Sequence, residues 1–228
     1  MLADMHTFMI DRKTVFTFQS TKFDAPVIYL NTFAGEGQKV FETAKTIGCP
    51  PFTLVAISGL DWNRDMTPWH SPPAFKNAEP CTGEADDYLR LLTQQIVPMA
   101  EKKISAKPCW RGIAGYSLAG LFALYAVYQT DLFSRVGCVS GSLWFPGIKE
   151  YILSHEPNQW PEGIYFSLGE KESKTRNPVL KNVRQATEEI FAFYEAKGMD
   201  TVFRLNQGNH YDHATERTAA GIHWLLNK

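Results

Sequence analysis

An apolar run that leads directly into a serine enclosed by small residues limits the possible folds more than any other part of this sequence. Residues 111–120 read RGIAGYSLAG, with Gly115 two positions before Ser117 and Ala119 two positions after it. A serine on a sharp strand-to-helix turn forces those two neighbours into contact, so only Gly or Ala fits there. The turn holds the serine in an unfavourable backbone conformation and pushes its hydroxyl clear of the sheet. The same pattern also suits a turn that merely packs a strand closely on a helix.

The regions around this serine predict an α/β fold with a mostly parallel sheet. An amphipathic segment from about Thr82 to Ile104 precedes it, and an apolar helical run from Leu118 to Tyr128 follows it. Strand-like runs alternate with helical ones along the chain, which predicts a parallel sheet covered by helices on both faces. We expect residues 1–228 to form a single domain of this kind, since that length fits one domain. The predicted strands outside the serine segment are 14–19, 26–32, 52–58, 163–169 and 200–205.

A histidine near the C-terminus is the predicted base. His210 follows the last predicted strand, in the loop that reads NQGNHYDH, and a helix from Thr215 to Leu226 comes after it. A loop after a parallel strand lies over the carboxyl edge of the sheet, where the serine also emerges. His213 is the alternative base, and His210 is preferred to it because Tyr211 to His213 resemble the lead-in to the last helix.

A carboxylate must orient the histidine, and the loop after residues 163–169 supplies two candidates. Glu172 is preferred over Glu170, because the tight turn at Gly169 first carries the chain out and then back. Asp200 and Asp212 remain alternatives within reach of the same edge. The interpretation without function is a solvated charge cluster.

Backbone N–H groups are expected to stabilise a developing oxyanion beside the serine. Leu118, directly after Ser117, is the first predicted donor. The loop after Asn31 supplies the second, with Phe33 preferred and Thr32 or Ala34 as alternatives.

With these residues in place, the chain resembles the "putative esterase" branch of the α/β-hydrolases. That branch includes S-formylglutathione hydrolase, feruloyl esterases, mycolyltransferases and siderophore trilactone esterases. The resemblance covers the chain roughly from Val27 to its end. It is carried by the segments GYSLAG at 115–120, DLFSRVGCVSGSLW at 131–144, LGEKE at 168–172 and GNH at 208–210. It implies a serine esterase with the triad Ser117, His210 and Glu172.

The resemblance also suggests substrate contacts. NRDMTPW at 63–69 is similar to a family loop, and in the siderophore branch basic and aromatic residues hold an anionic catecholate. Arg64 is the matching basic residue, although a surface arginine is the default interpretation. Trp62, Trp144 and Tyr116 are the aromatic candidates, with ordinary packing as the alternative for each.

Composition excludes several other classes of protein. The net charge is −1, so electrostatic binding of nucleic acid is not expected. No apolar run is long enough to span a membrane, and the start, MLADMH, lacks a secretory signal, which predicts a cytoplasmic protein. The four cysteines show no metal-binding or redox spacing, so neither metal nor cofactor is expected. The partner predicted is a small-molecule ester, with the oligomeric state left open.

The predicted reaction is therefore ester hydrolysis through an acyl-enzyme. An acyltransferase that uses the same triad is the alternative within enzymes. A hydrolase-fold binding protein without turnover is the alternative from another class.

Overall fold

Apolar runs form the strands of one central sheet in the structure, a computed structural model that describes residues 5–22, 24–104 and 107–228. Residues 1–4, part of the start judged to lack a secretory signal, lie outside the described residues. In chain order the strands are β1 Met5–Ile10, β2 Lys13–Phe18, β3 Val27–Asn31, β4 Thr53–Ser58, β5 Arg111–Tyr116, β6 Arg135–Val139, β7 Gly163–Gly169 and β8 Asp200–Asn206.

The sheet has the strand order β1-β2-β4-β3-β5-β6-β7-β8. Strand β2 pairs antiparallel with both β1 and β4, and every later pair is parallel. The predicted α/β class with a mostly parallel sheet is therefore confirmed.

Helices follow most strands and cover both faces of the sheet. In chain order they are α1 Gly37–Thr46, α2 Trp62–Asp65, α3 Ala85–Leu91, α4 Val97–Lys103, α5 Leu118–Ala126, α6 Ile148–Ser154, α7 Val183–Ala196 and α8 Ala214–Leu226. A π-helical segment, Leu92–Ile96, joins α3 to α4, and a short 3₁₀ turn, Leu180–Asn182, precedes α7. The predicted helical segment 82–104 is thus one helical stretch with a π turn inside it.

Alternating side chains divide the core between the two faces. In β3, Val27 and Tyr29 pack on the face that carries α3 to α7, while Ile28 and Leu30 pack on the face that carries α1 and α8. Because successive strand residues point to opposite faces, a strand buried on both sides must be apolar throughout. This is why the central strands read as unbroken apolar runs.

Two parts of the fold differ from the sequence-based expectation. Strand β1 was not predicted; it is an edge strand whose outer residues Met5 and Met9 are exposed. No strand or helix was predicted in the loop 59–80, yet it contains the short helix α2, and its Ser71 forms a bridge with Cys81.

The register of the parallel strands determines what meets at their carboxyl ends. Asn31 in β3 lies opposite Gly115 in β5, so the loop after β3 lies beside the turn that carries Ser117. Gly169 in β7 lies opposite Asn206 in β8, which places the loops containing Glu172 and His210 side by side.

Candidate active site

The Ser117 turn has the strained conformation that its sequence predicts. Ser117 has φ 60° and ψ −124°, a region that residues other than glycine rarely adopt. A Cβ atom added to Gly115 would lie 2.4 Å from the backbone of Ala119. The turn is held by the Ser117 N–H, which donates to the Val139 carbonyl at 3.1 Å. Small neighbours are therefore required by direct backbone contact.

Ser117, His210 and Glu172 form a continuous chain of hydrogen bonds. Nε2 of His210 lies 3.0 Å from Oγ of Ser117, and Nδ1 lies 2.7 Å from Oε2 of Glu172. An ionised carboxylate only accepts, so Nδ1 carries a hydrogen and Nε2 is free to accept from the serine. Glu172 has a side chain that is only 4% exposed, and His210 is 29% exposed. The arrangement can move a proton from the serine hydroxyl to the imidazole.

His213, the alternative base, is not part of this hydrogen-bonded chain. His213 is exposed and adopts a left-handed conformation, with φ 57°, as the residue that precedes α8. Asp212 uses its Oδ2 atom to accept from the N–H of Asn209 at 2.7 Å, which closes the loop that carries His210.

Neither of the other two carboxylates contacts the histidine. Glu170 is exposed on the turn that follows β7. Asp200 begins β8 and pairs with Lys228 at 3.2 Å, so it lies at the opposite edge of the sheet. The expectation that Asp200 reaches the carboxyl edge was wrong.

Tyr116 supports the histidine loop. Its hydroxyl donates to the carbonyl of His210 at 2.6 Å and accepts from Nη1 of Arg217 at 3.2 Å. Burial raises the pKa of Tyr116, so the phenol stays protonated as a donor. Tyr116, which was predicted to contact the substrate, thus uses its hydroxyl for hydrogen bonds within the protein.

The loop after β3 has its N–H groups occupied. Thr32 donates to the Ile57 carbonyl at 2.8 Å. Phe33 and Ala34 donate to the two carboxylate oxygens of Glu36, at 3.1 Å and 2.8 Å. By contrast, the N–H of Leu118 begins α5 and donates to no acceptor within the described residues. The N–H of Leu118 is therefore free to donate, whereas the N–H of Phe33 is held by Glu36.

A cleft of about 500 Å³ opens beside that loop. Phe33 is 70% exposed and meets the ring of Trp62 edge to face, with 5.1 Å between ring centroids. The remaining lining residues are Asp61, Asn63, Glu79, Pro80 and Thr82. The described lining thus combines aromatic rings with two carboxylates and contains no lysine or arginine.

Arg64 is not a free cation. Its Nε donates to Oδ1 of Asp65 at 3.0 Å and lies 3.8 Å from Glu84. The hydrogen bond and charge of Asp65 raise the pKa of Arg64. Asp65 also pairs with Lys13, and both of these side chains are buried. Because carboxylates already compensate the charge of Arg64, this side chain offers no free positive charge for the anion binding that the sequence suggested.

Trp144 lies in the turn that packs against Ser117. Ser142, two residues before it, places its Oγ 3.3 Å from Oγ of Ser117 and donates its N–H to the Ser117 carbonyl at 3.0 Å. Trp144 is half-buried, with its ring 6.4 Å from that of Phe145. Its proposed substrate contact stays a prediction.

A family model described as "Putative esterase" matches residues 31–214. The matched range includes Ser117, Glu172 and His210. The chain belongs to this esterase family. It is a carboxylic ester hydrolase of the α/β-hydrolase superfamily, as the resemblance in its motifs implies.

Solved structures with the same fold include siderophore and enterobactin hydrolases. The siderophore hydrolase EstA of Aspergillus nidulans is 18% identical, with a TM-score of 0.76 over 99% of this chain and 94% of that one. An IroE-like serine hydrolase of Shewanella oneidensis is 17% identical, with a TM-score of 0.78 over 99% and 80%. The enterobactin esterase Fes of Shigella flexneri is 19% identical, with a TM-score of 0.72 over 99% and 59%. Identities this low show a common fold.

A curated relative is the uncharacterized protein YbbA of Bacillus subtilis. It is 22% identical over 187 residues, which span 78% of the esterase and 75% of YbbA.

The cysteines of the esterase are all free. Burial raises the pKa of Cys138 well above its usual range, so this thiol stays protonated and inert. Within the described ranges, no three His, Cys, Asp or Glu side chains cluster as metal ligands. None of the described helices is both long and apolar enough to cross a bilayer.

Sequence patterns did not indicate two residues that contact the site of the esterase. Glu36 accepts from the loop after β3, and Arg217 lies against Glu172. The available signal for Arg217 was its position on the buried stripe of α8 that also contains Gly221 and Leu225. A charged residue on such a stripe needs a buried partner.

Proposed function

We propose that the esterase hydrolyses a carboxylic ester through an acyl-enzyme on Ser117. The observation that carries this proposal is the unbroken hydrogen-bonded chain from Ser117 through His210 to the buried Glu172. A serine hydroxyl is a weak nucleophile until an adjacent base removes its proton. The strained turn adds support, because it exposes the oxygen at the edge of the sheet.

Acylation begins when Oγ of Ser117 attacks the ester carbonyl. As the new bond forms, Nε2 of His210 takes the hydroxyl proton, and Glu172 stabilises the resulting imidazolium through Nδ1. His210 then gives the proton to the leaving alcohol as the ester bond breaks. The products of this half-reaction are an alcohol and an acyl-Ser117 ester.

The tetrahedral oxyanion needs N–H donors. Leu118 supplies the first, since its N–H is free of other acceptors among the described residues. Phe33 supplies the second once the oxyanion has displaced the Glu36 carboxylate, which now holds that N–H at 3.1 Å. Thr32 is excluded, because its N–H pairs with Ile57 inside the sheet edge.

Deacylation repeats these steps with water as the nucleophile. His210 removes a proton from water, the hydroxide attacks the acyl-enzyme, and Ser117 recovers the proton. An alcohol acceptor in place of water would give acyl transfer with the same residues. Product analysis with added alcohols separates the two reactions.

The substrate that suits the cleft is an ester with an uncharged aromatic group. Phe33 and Trp62 offer ring faces, and Asp61 and Glu79 repel a carboxylate or an ionised catechol. Some structural neighbours are named for siderophore or enterobactin hydrolysis. Because Arg64 is already paired, we expect a neutral aromatic ester to react faster than a catecholate lactone.

The experiment that tests the proposed function is hydrolysis of p-nitrophenyl acetate by Ser117→Ala. We expect kcat to fall by at least about 10⁴-fold without change in the circular dichroism spectrum. Ser154→Ala is the matched control, since this serine lies on α6 and, among the described residues, bonds only to its own helix and to His155. Activity in Ser117→Ala within tenfold of the parent would refute the assignment.

A further inference from the structure

One guanidinium joins the carboxyl ends of four consecutive strands. Arg217 lies in the first turns of α8 and is 3% exposed. Its Nη1 atom lies 3.2 Å from the hydroxyl of Tyr116, the last residue of β5. The same atom lies 3.4 Å from Oγ of Ser140 after β6 and 3.4 Å from Oε1 of Glu172 after β7. Its Nη2 atom donates to the Gln207 carbonyl after β8 at 2.8 Å.

The two carboxylate oxygens of Glu172 have different hydrogen-bond partners. Oε2 faces His210, while Oε1 accepts from Arg217 and from the N–H of Gly169 at 2.5 Å. The guanidinium packs directly on this turn, because a Cβ atom at Gly169 would lie 3.0 Å from Nη1. A buried cation needs an ionised partner, and Glu172 is the one carboxylate that Arg217 contacts within the described residues.

We propose that Arg217 is a positioning residue for the catalytic acid, which fixes Glu172 in its ionised form and locks the His210 loop beside it. The inference rests on the proposed function, since it assigns Arg217 a role through the Ser117–His210–Glu172 chain. The residue does not touch the reacting atoms. It acts through Glu172 directly and through the Tyr116 hydroxyl, which bonds the His210 carbonyl.

The charge of Arg217 has a defined effect on the reaction. Before the reaction, the negative charge of Glu172 and the positive charge of Arg217 offset each other, and His210 is neutral when it accepts the Ser117 proton. The nearby positive charge weakens the hold of Glu172 on that proton, so the imidazolium can release it to the leaving alcohol. Without Arg217, either Glu172 takes up a proton or His210 keeps its own to higher pH. Both changes move the acid limb of the kcat/KM profile to higher pH.

The other ionisable groups around Arg217 and Glu172 do not change the direction of this shift in the acid limb. Burial raises the pKa of Tyr116 and of Tyr165, so both phenols stay neutral between about pH 5 and 9. Arg204 on β8 keeps its charge throughout that range. On the His210 loop, Asp212 is bonded to the Asn209 N–H, and Tyr211 presents its ring edge to the imidazole. Each of these groups is identical in the parent and in an Arg217 variant.

The test measures kcat/KM for p-nitrophenyl acetate across pH in Arg217→Met and Arg217→Lys. We expect Arg217→Met to lose about 10- to 10³-fold and to shift the midpoint of its acid limb upward by about one pH unit. Arg217→Lys keeps the charge but not the planar fork, so its midpoint stays within about 0.3 units while kcat falls by at least about threefold.

Arg111→Met is the control, because Arg111 forms a partly buried pair with Glu101 at the start of β5, away from the site. We expect it to lower the Tm without moving the acid limb. A uniform loss at every pH in Arg217→Met, equal in form to that of Arg111→Met, would overturn the proposal.

A double-mutant cycle separates action through Glu172 from a general loss of packing. In a Glu172→Gln background, we expect Arg217→Met to change kcat by less than about threefold, since the two residues act as one unit. Fully additive losses would overturn the inference. If Arg217→Met does not fold, the double variant and Arg217→Lys decide the question, and an Arg217→Lys profile identical to the parent in kcat and midpoint also overturns it. Full activity in Glu172→Gln alone would instead contradict the proposed function.

Discussion

The carboxyl edge of the sheet has two halves built in contrasting ways. At the ends of β5 to β8, Ser117, His210, Glu172 and Arg217 bond to one another, and both acid and cation are buried. At the ends of β3 and β4, Phe33 is exposed beside an open cleft. In the first half, hydrogen bonds fix the positions of the side-chain atoms. The second half is an open cleft lined by exposed and half-buried side chains.

If Ser117 acts as proposed, we expect this difference to divide the chemistry from the choice of substrate. A proton transfer demands fixed donor and acceptor positions, which a packed network provides. An open aromatic cleft tolerates different groups, because ring contacts are less directional than charged hydrogen bonds. We therefore expect changes in the first half to affect kcat on every ester and changes in the second half to affect which ester is preferred.

Among the changes that test this comparison, Glu172→Gln should cost the most activity. The amide presents an N–H as well as an oxygen to Nδ1 of His210 and no longer holds the correct tautomer, so kcat should fall by about 10³- to 10⁴-fold. We expect similar losses for acetate and aromatic esters, measured by steady-state kinetics. Glu170→Gln, on an exposed residue of the same turn, is the control and should stay within about twofold. A loss confined to one ester would contradict the separation between the two halves.

Lys13→Met tests how the second half is anchored. Lys13 on β2 pairs with Asp65 at the end of α2, and both are buried. Removing the cation leaves a buried carboxylate poorly compensated, so we expect unfolding free energy to fall by about 3 kcal/mol in urea titration. The exposed Lys22→Met is the control and should change it by less than about 0.5 kcal/mol. An equal, small change in both variants would show that the pair does not anchor the loop.

Trp62→Ala should change selectivity more than rate. Loss of the ring that packs on Phe33 removes an aromatic contact, so kcat/KM for a feruloyl or benzoyl ester should fall by about tenfold. Hydrolysis of p-nitrophenyl acetate should stay within about twofold, because the small acyl group does not need the cleft. Phe75→Ala is the matched control, since Phe75 is an exposed aromatic of the same loop that does not line the cleft. Equal loss on both esters would place Trp62 in the catalytic half.

Arg64→Ala is expected to have the smallest effect. The guanidinium is 42% exposed and paired with Asp65, and partly exposed pairs contribute about 0–1 kcal/mol. We expect kcat/KM for neutral and catecholate esters to stay within about twofold of the parent. A selective loss of more than tenfold on the catecholate would restore the anion-binding role that the motif suggested.

Sequence patterns predicted most of the fold because the central strands are buried on both faces. Segments such as 26–32 and 163–169 are apolar throughout, and the structure has β3 and β7 within them. Strand β1 escaped prediction because only one of its faces packs, and Met5 and Met9 remain exposed. The π turn at Leu92–Ile96 has no distinct sequence signal, since its residues suit an α-helix equally well.

The candidate site was predictable only where local geometry dictates residue type. Gly115 and Ala119 mark the serine turn because backbone contact there excludes larger side chains. Arg217 and Glu36 carry no such local signature. Arg217 meets partners as far away in sequence as Tyr116, and only the parallel register of β5 to β8 brings them together.

Covalent labelling of Ser117 is the sharpest test of whether His210 activates this serine. After treatment with a fluorophosphonate, mass spectrometry of the intact protein and its peptides should show a single adduct on the peptide that contains Ser117. The adduct should be absent in Ser117→Ala and should form at least about 10²-fold more slowly in His210→Ala, because the serine then lacks its base. An adduct on another residue, or labelling of His210→Ala at the parent rate, would contradict a serine activated by this histidine.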